Sequence, residues 1–396
     1  MLPPWLEKAS LGSIETLGLY IHVPFCRRAC HYCDFYFTPR ASFMEAYTEA
    51  LLCEIDHYAV LLEAFPIETV FFGGGTPSWL PLPLWDKIFR RLEQLPTYTP
   101  KEVTIEANPE DITPESLSFW LRRGVTRLSV GIQSFYPQVL HTLGRFHDPE
   151  IARRAINYLY KSGFTTWSAD LIFGVPGQRS EHVVSDIEFL LSYNIPHLSA
   201  YGLTIEEKTV LYKKLRLGRF APVEEETYAQ SYLSIHEVLG KAGFTWYEIS
   251  NWARPGHESQ HNWRYWQRKP YIGLGPSAHS YLPEVRWANT RSIKTYLSQL
   301  ESGIYPVAYW EALSLDDLRM ELWITQFRTK LGLSSMQIRQ HIGEKADYVF
   351  GLLDSAVQRG WLKRINDTYH LTPQGALLSD RLILEVESHL EKVISA

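Results

Sequence analysis

His22-Val-Pro-Phe-Cys26-Arg-Arg-Ala-Cys30-His-Tyr-Cys33-Asp-Phe35 places three thiols within eight residues. They follow directly on an apolar run, Leu17–Val23, that reads as a β-strand. The chain has four cysteines in all, the fourth being Cys53. Soft thiolates crowded in this way suit iron or zinc. Three such ligands on a four-iron cluster leave one iron open, and chemistry can begin there. A structural zinc site wants four protein ligands, and His22 or His31 would have to complete it. A disulfide suits neither this spacing nor a reducing compartment. Cys53 falls within a helix-like stretch and reads as a buried small hydrophobe.

Outward from that run, the first two thirds of the chain alternate between two textures. Strand-like segments are Leu17–Val23, Glu68–Phe72, Glu102–Ala107, Arg127–Ile132, Trp167–Phe173 and His197–Tyr201. Helix-periodic stretches lie between them, at Phe43–Leu62, Leu84–Leu95, Pro114–Arg122, Pro149–Tyr160 and Glu181–Ser192. Repeated strand–helix units with apolar strands imply parallel strands covered by helices. Polar or glycine-rich features follow nearly every strand: the cysteines after the first, Gly73–Gly75 after the second, Glu106 at the end of the third, Gln133 after the fourth, and Asp170 near the end of the fifth. In a barrel-like array such groups converge on one mouth. The count of strand–helix units, about six, predicts an open or partial barrel rather than a closed eightfold one.

The chain is 396 residues long, 45% hydrophobic and 21% charged, with a formal charge of -5. These values suit a globular protein of more than one domain and argue against a strongly basic nucleic-acid binder, despite the small basic patch from Lys213-Lys214 to Arg219. Thirteen tryptophans and 23 tyrosines suit flat apolar ligands as well as a large core. The first residues lack a secretory signal, and no apolar run is long enough to span a membrane. The composition reads as cytoplasmic, with peripheral membrane contact left open.

A block from Tyr201 to Leu300, rich in Gly, Pro, Trp and Tyr, reads as a continuation of the sheet on the substrate side. Past Ser314 come short amphipathic helices (Ser314–Thr329 and Ser334–Ile342), then a hairpin through Gly360-Trp-Leu-Lys-Arg-Ile and Tyr369-His-Leu, then a closing helix, Ala376–Leu390. That order resembles a winged-helix module. Without a concentrated basic stretch, packing or partner binding suits it better than DNA. The expected division is an N-terminal extension at 1–16, a core at 17–235, a sheet extension and substrate-side region at 236–305, and the winged-helix-like part at 306–396.

The spacing of Cys26, Cys30 and Cys33 resembles the signature of the radical S-adenosylmethionine superfamily, and further matches follow in order. The resemblance implies an α/β fold: a partial (β/α)6-type radical SAM barrel with additional sheet elements and a C-terminal winged-helix-like domain. It also implies that the three thiolates hold a [4Fe-4S] cluster whose fourth iron takes the amine and carboxylate of S-adenosylmethionine. An electron from that cluster would split a C–S bond and release a 5'-deoxyadenosyl radical. Gly73-Gly74-Gly75-Thr76-Pro-Ser resembles the superfamily's glycine motif, where glycines permit close backbone approach to a ligand. Tyr20 resembles the cofactor-side tyrosine. Glu106, in Ile105-Glu-Ala-Asn-Pro, suits the ligand's amine or ribose. Gln133 and Asp170 suit ribose hydroxyls. Arg145, in Leu143-Gly-Arg, suits the methionyl carboxylate, and Gly174-Val-Pro-Gly-Gln resembles the loop that shapes the adenine pocket.

The second half narrows the resemblance. Tyr247-Glu-Ile-Ser-Asn-Trp-Ala-Arg-Pro-Gly, His261-Asn-Trp-Arg-Tyr-Trp and Tyr271-Ile-Gly-Leu-Gly-Pro-Ser-Ala-His-Ser are similar to signatures of the bacterial heme chaperone family HemW, once grouped with oxygen-independent coproporphyrinogen III oxidases. The oxidase carries a further cysteine two places after the third cluster cysteine; here that place is Phe35, as in the chaperone family. The resemblance therefore implies a protein that binds heme and delivers it to acceptor proteins, including respiratory-chain components, with an electron donor needed if S-adenosylmethionine is cleaved. The oxidase reaction, or another radical reaction, is the alternative. For the heme, the aromatic-rich region Trp246–Trp287 is a candidate slot. His22, His261 and His279 are candidate heme-side ligands, with no axial ligand assigned, and Arg264 and Arg286 are candidate propionate partners. His261-Asn262 and Tyr265-Trp266 suit bracing of the sheet and cavity.

Anaerobic reconstitution should give about four iron and four sulfide per chain. Replacing Cys26, Cys30 or Cys33 by Ala should each abolish the site-differentiated cluster, and Cys53→Ala should not. Iron and sulfide analysis of the four variants checks this, and an intact cluster in the first three contradicts the ligand assignment.

Overall fold

Each of the first strands is apolar at every second residue, and that period sorts the fold into an outside and an inside. The computed structural model describes residues 3–394. In chain order the strands of the larger sheet are β1 (Leu17–Val23), β2 (Ile67–Gly74), β3 (Tyr98–Ala107), β4 (Arg127–Gln133), β5 (Thr166–Phe173), β6 (His197–Gly202), β7 (Thr245–Glu248), β8 (Asn251–Ala253), β9 (Tyr271–Leu274), β10 (His279–Leu282), β11 (Val285–Asn289) and β12 (Val307–Ala312). The first six pair in parallel and in sequence order. Leu19 and Ile21 of β1, Val70 and Phe72 of β2, Val103 and Ile105 of β3, and Leu128 and Val130 of β4 are buried in the main apolar core.

Helices cover that outer face. Helix Leu82–Glu93 buries Leu84, Trp85, Ile88, Phe89 and Leu92 at helical spacing. Each such side chain stabilises the fold by about 1.5–3 kcal/mol on burial. Thr113 caps helix Pro114–Arg122 in a reciprocal box with Ser116, and Asp148 caps helix Pro149–Lys161. The opposite, inward face of the strands carries Tyr20, Glu106, Ser129, Ser168, Asp170 and Ser199, which line a cavity.

The sheet order is β12-β11-β10-β9-β1-β2-β3-β4-β5-β6-β8-β7. It has two free ends, so the barrel is partial. The region expected as one sheet extension divides between them. β7 and β8 add antiparallel beside β6, whereas β9 pairs in parallel with β1 and leads into β10, β11 and β12. β12 lies beyond the expected boundary at 305 yet belongs to this sheet, because its backbone pairs with β11.

Helix Gln260–Trp266 plugs the amino-end floor of the barrel. Its first N–H groups, from Gln260 and His261, donate to the Glu102 carboxylate on β3 at 3.0 and 2.9 Å. His261 bonds Thr69 of β2 and Tyr265, both at 2.8 Å. Arg264 donates to Glu68 at 2.6 Å and to the carbonyls of Thr16 and Pro270. Burial, reinforced by Arg264, pushes His261 down to about 3, so its ring is neutral.

A second sheet, β13 (Leu333–Ser334), β14 (Leu362–Ile365) and β15 (Thr368–Leu371), runs in the order β13-β15-β14. Helices Leu315–Phe327, Ser335–Ile342, Ala346–Gln358 and Ser379–Ile394 accompany it. The Lys330 N–H donates to the Tyr247 carbonyl at 2.9 Å, and the Lys330 ammonium pairs with Glu258, joining this part to the larger sheet. At the other end, the expected N-terminal extension holds a short helix, Pro4–Glu7, with Leu6 buried; Met1, Leu2, Ser395 and Ala396 lie outside the described residues. Cys53 corrects the sequence expectation. It is exposed, because helix Met44–His57 turns Ala50, Leu51, Glu54 and Ile55 inward instead. Among the described residues no helix is long and apolar enough to cross a membrane.

The floor generates a stability test. Glu102→Ala leaves the buried His261 N–H and the more open Gln260 N–H without their acceptor and should lower unfolding free energy by about 1–3 kcal/mol; Glu102→Gln, which retains one acceptor, should lose less. Urea midpoints at unchanged slope measure both, and equal stability of the Ala variant contradicts this role.

Candidate functional site

The parallel strands end together, and their ends bring distant residues to one cavity of about 910 Å³, within the size range of small-molecule sites. Cys26, Cys30 and Cys33 line it, half-buried, on the loop after β1. Backbone bonds fix that loop: Cys26 N–H to the Thr38 carbonyl at 3.2 Å, His31 N–H to Leu143 at 2.9 Å, and Leu211 N–H to His31 at 2.9 Å. Two donors from other elements reach the sulfurs. Thr76 Oγ1 donates to Cys26 Sγ and Arg145 Nη1 to Cys30 Sγ, each at 3.4 Å. Burial pushes the free thiol of Cys26 up to about 12 and that of Cys33 up to about 11. A bound metal's positive charge inverts this balance and favours thiolate. Sulfur donors facing a cavity and already met by hydroxyl and guanidinium donors fit an iron–sulfur group, although among the described residues no three ligand-type side chains are drawn into a closed metal cage.

The glycine turn after β2 lies beside these thiols. Gly75 N–H donates to Val23 and Thr76 N–H to Phe25. Gly74 has φ 105°, and a Cβ there would fall 2.5 Å from the His22 ring. At Gly75 a Cβ would approach the Phe25 backbone to 2.8 Å. Only glycine permits both approaches. Gly73 sits behind the cavity wall, against Phe71 and Glu106.

Glu106 is half-buried on the cavity wall and accepts the Gly74 N–H at 3.1 Å. Burial, and then the charge of Asp170, push its carboxyl up to about 8. Asp170 accepts from Ser129 at 2.8 Å, and burial raises its carboxyl despite that bond. Neither carboxyl has an ion-pair partner among the described residues. Gln133 lines the same cavity, with φ 64° where the β4–β5 register shifts. Tyr20 donates to His22 Nδ1 at 3.1 Å, while His22 Nε2 donates to the Tyr36 carbonyl at 2.9 Å. Both His22 nitrogens are thus committed, and burial takes its pKa down to about 4. Arg145 sends its fork toward protein groups: besides Cys30, it donates to Asn108 at 2.7 Å and to the Gly131 carbonyl at 3.0 Å. Its Nε is buried without a partner.

Cys26, Cys30, Cys33, Tyr20, Gly74, Gly75, Thr76, Glu106, Gln133, Arg145 and Asp170 therefore share one cavity. The Gly174–Gln178 turn is held by its own bonds, Gln178 bracing Val175 and Ile172, and only Ile172 of this region reaches the cavity wall. His279 opens to the cavity. His261 and Arg264 lie in the floor, His261 bonded at both ring nitrogens and Arg264 through both Nη groups while its Nε has no partner, so they do not face a cargo at the mouth. Arg286 is engaged by Glu311 at 3.6 Å and by Glu321. Trp252 and Trp287 fill the apolar core rather than a slot, with Trp287 bonded to Tyr58. Sequence reasoning missed Ser129, Ser168, Ser199 and Asn108. Their signal was present: the serines occupy every second place in otherwise apolar strands, and Asn108 stands two residues after Glu106.

A partial parallel barrel with three thiols and a glycine turn at its carboxyl mouth is a radical S-adenosylmethionine fold, and residues 20–190 match the Radical SAM superfamily. Family membership implies the use of S-adenosylmethionine and an iron–sulfur group. The chain is 36% identical to the heme chaperone HemW of Mycobacterium tuberculosis, over 93% of this chain and 94% of that one. It is 32% identical to the heme chaperone HemW of Bacillus subtilis, over 92% and 97%. The solved coproporphyrinogen III oxidase of Escherichia coli shares the fold at a TM-score of 0.81, with 22% identity, covering 96% of this chain and 92% of that one. The chain belongs to the HemW family.

The half-buried Glu106 gives a pH test. Unfolded, this carboxyl loses its proton near 4.5; folded, it holds it to about 8. Its stabilisation is complete below the lower value and is lost as pH rises through the upper one, at about 1.4 kcal/mol per pH unit. Glu106→Gln keeps a neutral group and should lack that loss, so the variant should gain on the parent between about pH 5 and about pH 8. A pH-independent gap in urea midpoints contradicts the assignment.

Proposed function

We propose that this protein is a heme chaperone: it binds heme and transfers it to acceptor proteins, respiratory-chain components among them, on a scaffold that holds a [4Fe-4S] cluster and S-adenosylmethionine. The observation that carries this reading is the match to named heme chaperones over more than nine tenths of the chain. The thiol-lined cavity supports it, as does Phe35 in the place where the oxidase has a cysteine.

In this reading Cys26, Cys30 and Cys33 would hold the cluster and leave one iron open to S-adenosylmethionine. When bound, cluster and S-adenosylmethionine together supply one-electron chemistry at a C–S bond. Thr76 and Arg145 hydrogen-bond the ligating sulfurs and so tune the cluster's potential. The backbone turn Gly73–Gly75 and Glu106 receive the ligand's amine; a cation there relieves the half-buried carboxyl. Gln133 and Asp170, the latter oriented by Ser129, take the ribose hydroxyls. Tyr20, fixed by His22, closes the cofactor side. Arg145 contributes charge toward the methionyl carboxylate while its fork stays on protein groups. The chain divides into the extension at 1–16, the radical SAM core at 17–235, the sheet extension at 236–305, which β12 continues, and the winged-helix-like part in the remainder of 306–396, the last a packing or partner surface. The setting is cytoplasmic, with an electron donor required if S-adenosylmethionine is cleaved.

Anaerobic incubation separates carrier from catalyst. The reconstituted protein should take up about one hemin per chain and pass it to an apo-acceptor, read by transfer of the Soret band in a size-exclusion assay. With coproporphyrinogen III, reductant and S-adenosylmethionine it should give no multiple turnover; repeated loss of carboxyl groups from that substrate contradicts the chaperone reading.

A further inference from the structure

The residue that separates this chain from the oxidase pattern is also among its most exposed large apolar side chains: Phe35 is 69% exposed. This is not a loose loop tip. Both neighbours are pinned, since the Asp34 carbonyl accepts from Arg291 Nη2 at 3.2 Å, the Tyr36 carbonyl from His22 at 2.9 Å, and the Tyr36 hydroxyl from the Ile293 N–H at 2.7 Å. With residues 34 and 36 tied inward to the segment after β11, the phenyl ring between them is held out at the mouth. Water contact for a fixed aromatic ring is unfavourable unless something covers it.

What surrounds the ring indicates the covering group. Arg291 is exposed on the cavity rim and, apart from that carbonyl, meets no carboxylate at ion-pair distance among the described residues. His279, the imidazole that opens to the cavity, has its pKa lowered by burial first and then by the charges of Arg286 and Arg291. A neutral imidazole is the form that ligates iron. Across the mouth Phe146 is 56% exposed, and the Arg28 guanidinium lies over it at 5.5 Å. A flat apolar surface, a guanidinium that meets no carboxylate and an accessible imidazole together fit a planar ligand that carries carboxylates and a metal.

We propose that heme sits across the barrel mouth, its ring edge on Phe35, one propionate on Arg291 and its iron on His279, with Phe146 and Arg28 as the opposite rim. This rests on the reading that the cargo is heme. It moves the cargo seat away from His261 and Arg264, which the floor engages, and from Arg286, which two glutamates hold. It also sets the cargo over the cavity that the cysteines line, so that loading of that cavity and seating of the cargo share one entrance.

Hemin and hemin dimethyl ester, titrated into the full chain with its cluster reconstituted anaerobically, test this seat. Arg291→Gln should weaken hemin roughly tenfold and the ester, which has no free carboxylates and feels only the lost tie to Asp34, far less; Arg291→Lys should recover part of the loss. Phe35→Ala should weaken both probes alike, roughly tenfold. His279→Ala should convert the bound ferric heme from a histidine-ligated to a weak-ligand spectrum in absorbance and electron paramagnetic resonance. All three side chains are exposed, and an iron content equal to the parent's verifies that each variant is intact. If the parent binds one hemin and all three variants bind both probes with the parent's affinity and spectrum, the seat is overturned while the chaperone reading stands. If the parent itself binds no hemin, the functional reading is overturned and the seat with it.

Discussion

Two carboxyl groups, Glu106 and Asp170, stand half-buried on the cavity wall without an ion-pair partner among the described residues, and the remainder of the structure is arranged around that unfavourable placement. An isolated buried carboxylate is costly, so the protein keeps protons there or waits for a cation. The stability that tolerates this comes from elsewhere. The outward faces of β1 to β6 are apolar and helix-covered, and they anchor strands whose inward faces are free to be polar. The floor helix Gln260–Trp266 then seals the narrow end, through Glu102, Thr69 and Glu68, and leaves the carboxyl mouth as the open side.

At that mouth no single segment makes the site. The thiols belong to the loop after β1, the donor to Cys26 follows β2, and the donor to Cys30 comes from Arg145, well beyond β4. Arg145 also ties Asn108 and Gly131, so one guanidinium links the ends of β3 and β4 to the cysteine loop. Sulfur chemistry and sheet geometry are therefore coupled: a change in strand register would move the donors off the sulfurs. The same coupling holds the rim, where the segment that contains Phe35 is bonded to residues 291 and 293 from the far side of the sheet. Fold likeness to an oxidase and membership of a chaperone family are compatible, because a shared fold does not fix what its site does.

Much of this was legible from residues alone. Six parallel strands and their helices follow from period and apolarity, and β1 begins and ends where the sequence pattern places it. The cavity residues were legible because strand ends converge whatever the loop lengths. The short antiparallel strands were not, since β9 pairs with β1 through contacts more than 250 residues apart and no local pattern records this. The histidine and arginine of helix Gln260–Trp266 looked like cargo contacts because a satisfied buried charge and a ligand-binding charge have the same letter; only Glu68 and Thr69, distant in sequence, distinguish them. Cys53 failed on helical phase, as Ala50, Leu51 and Leu52 offered two plausible inward faces and Glu54 took the buried one through Gly275, Asn289 and Tyr296.

In this molecule a small cation should complete the metal site beside Glu106. Electron paramagnetic resonance of the anaerobically reduced full chain, with and without S-adenosylmethionine isotopically labelled at its amine nitrogen, tests it most directly. The expected result is a four-iron cluster spectrum that shifts on addition of the molecule and gains coupling to the labelled nitrogen. A mononuclear iron signal, or a cluster spectrum indifferent to the molecule, would contradict it.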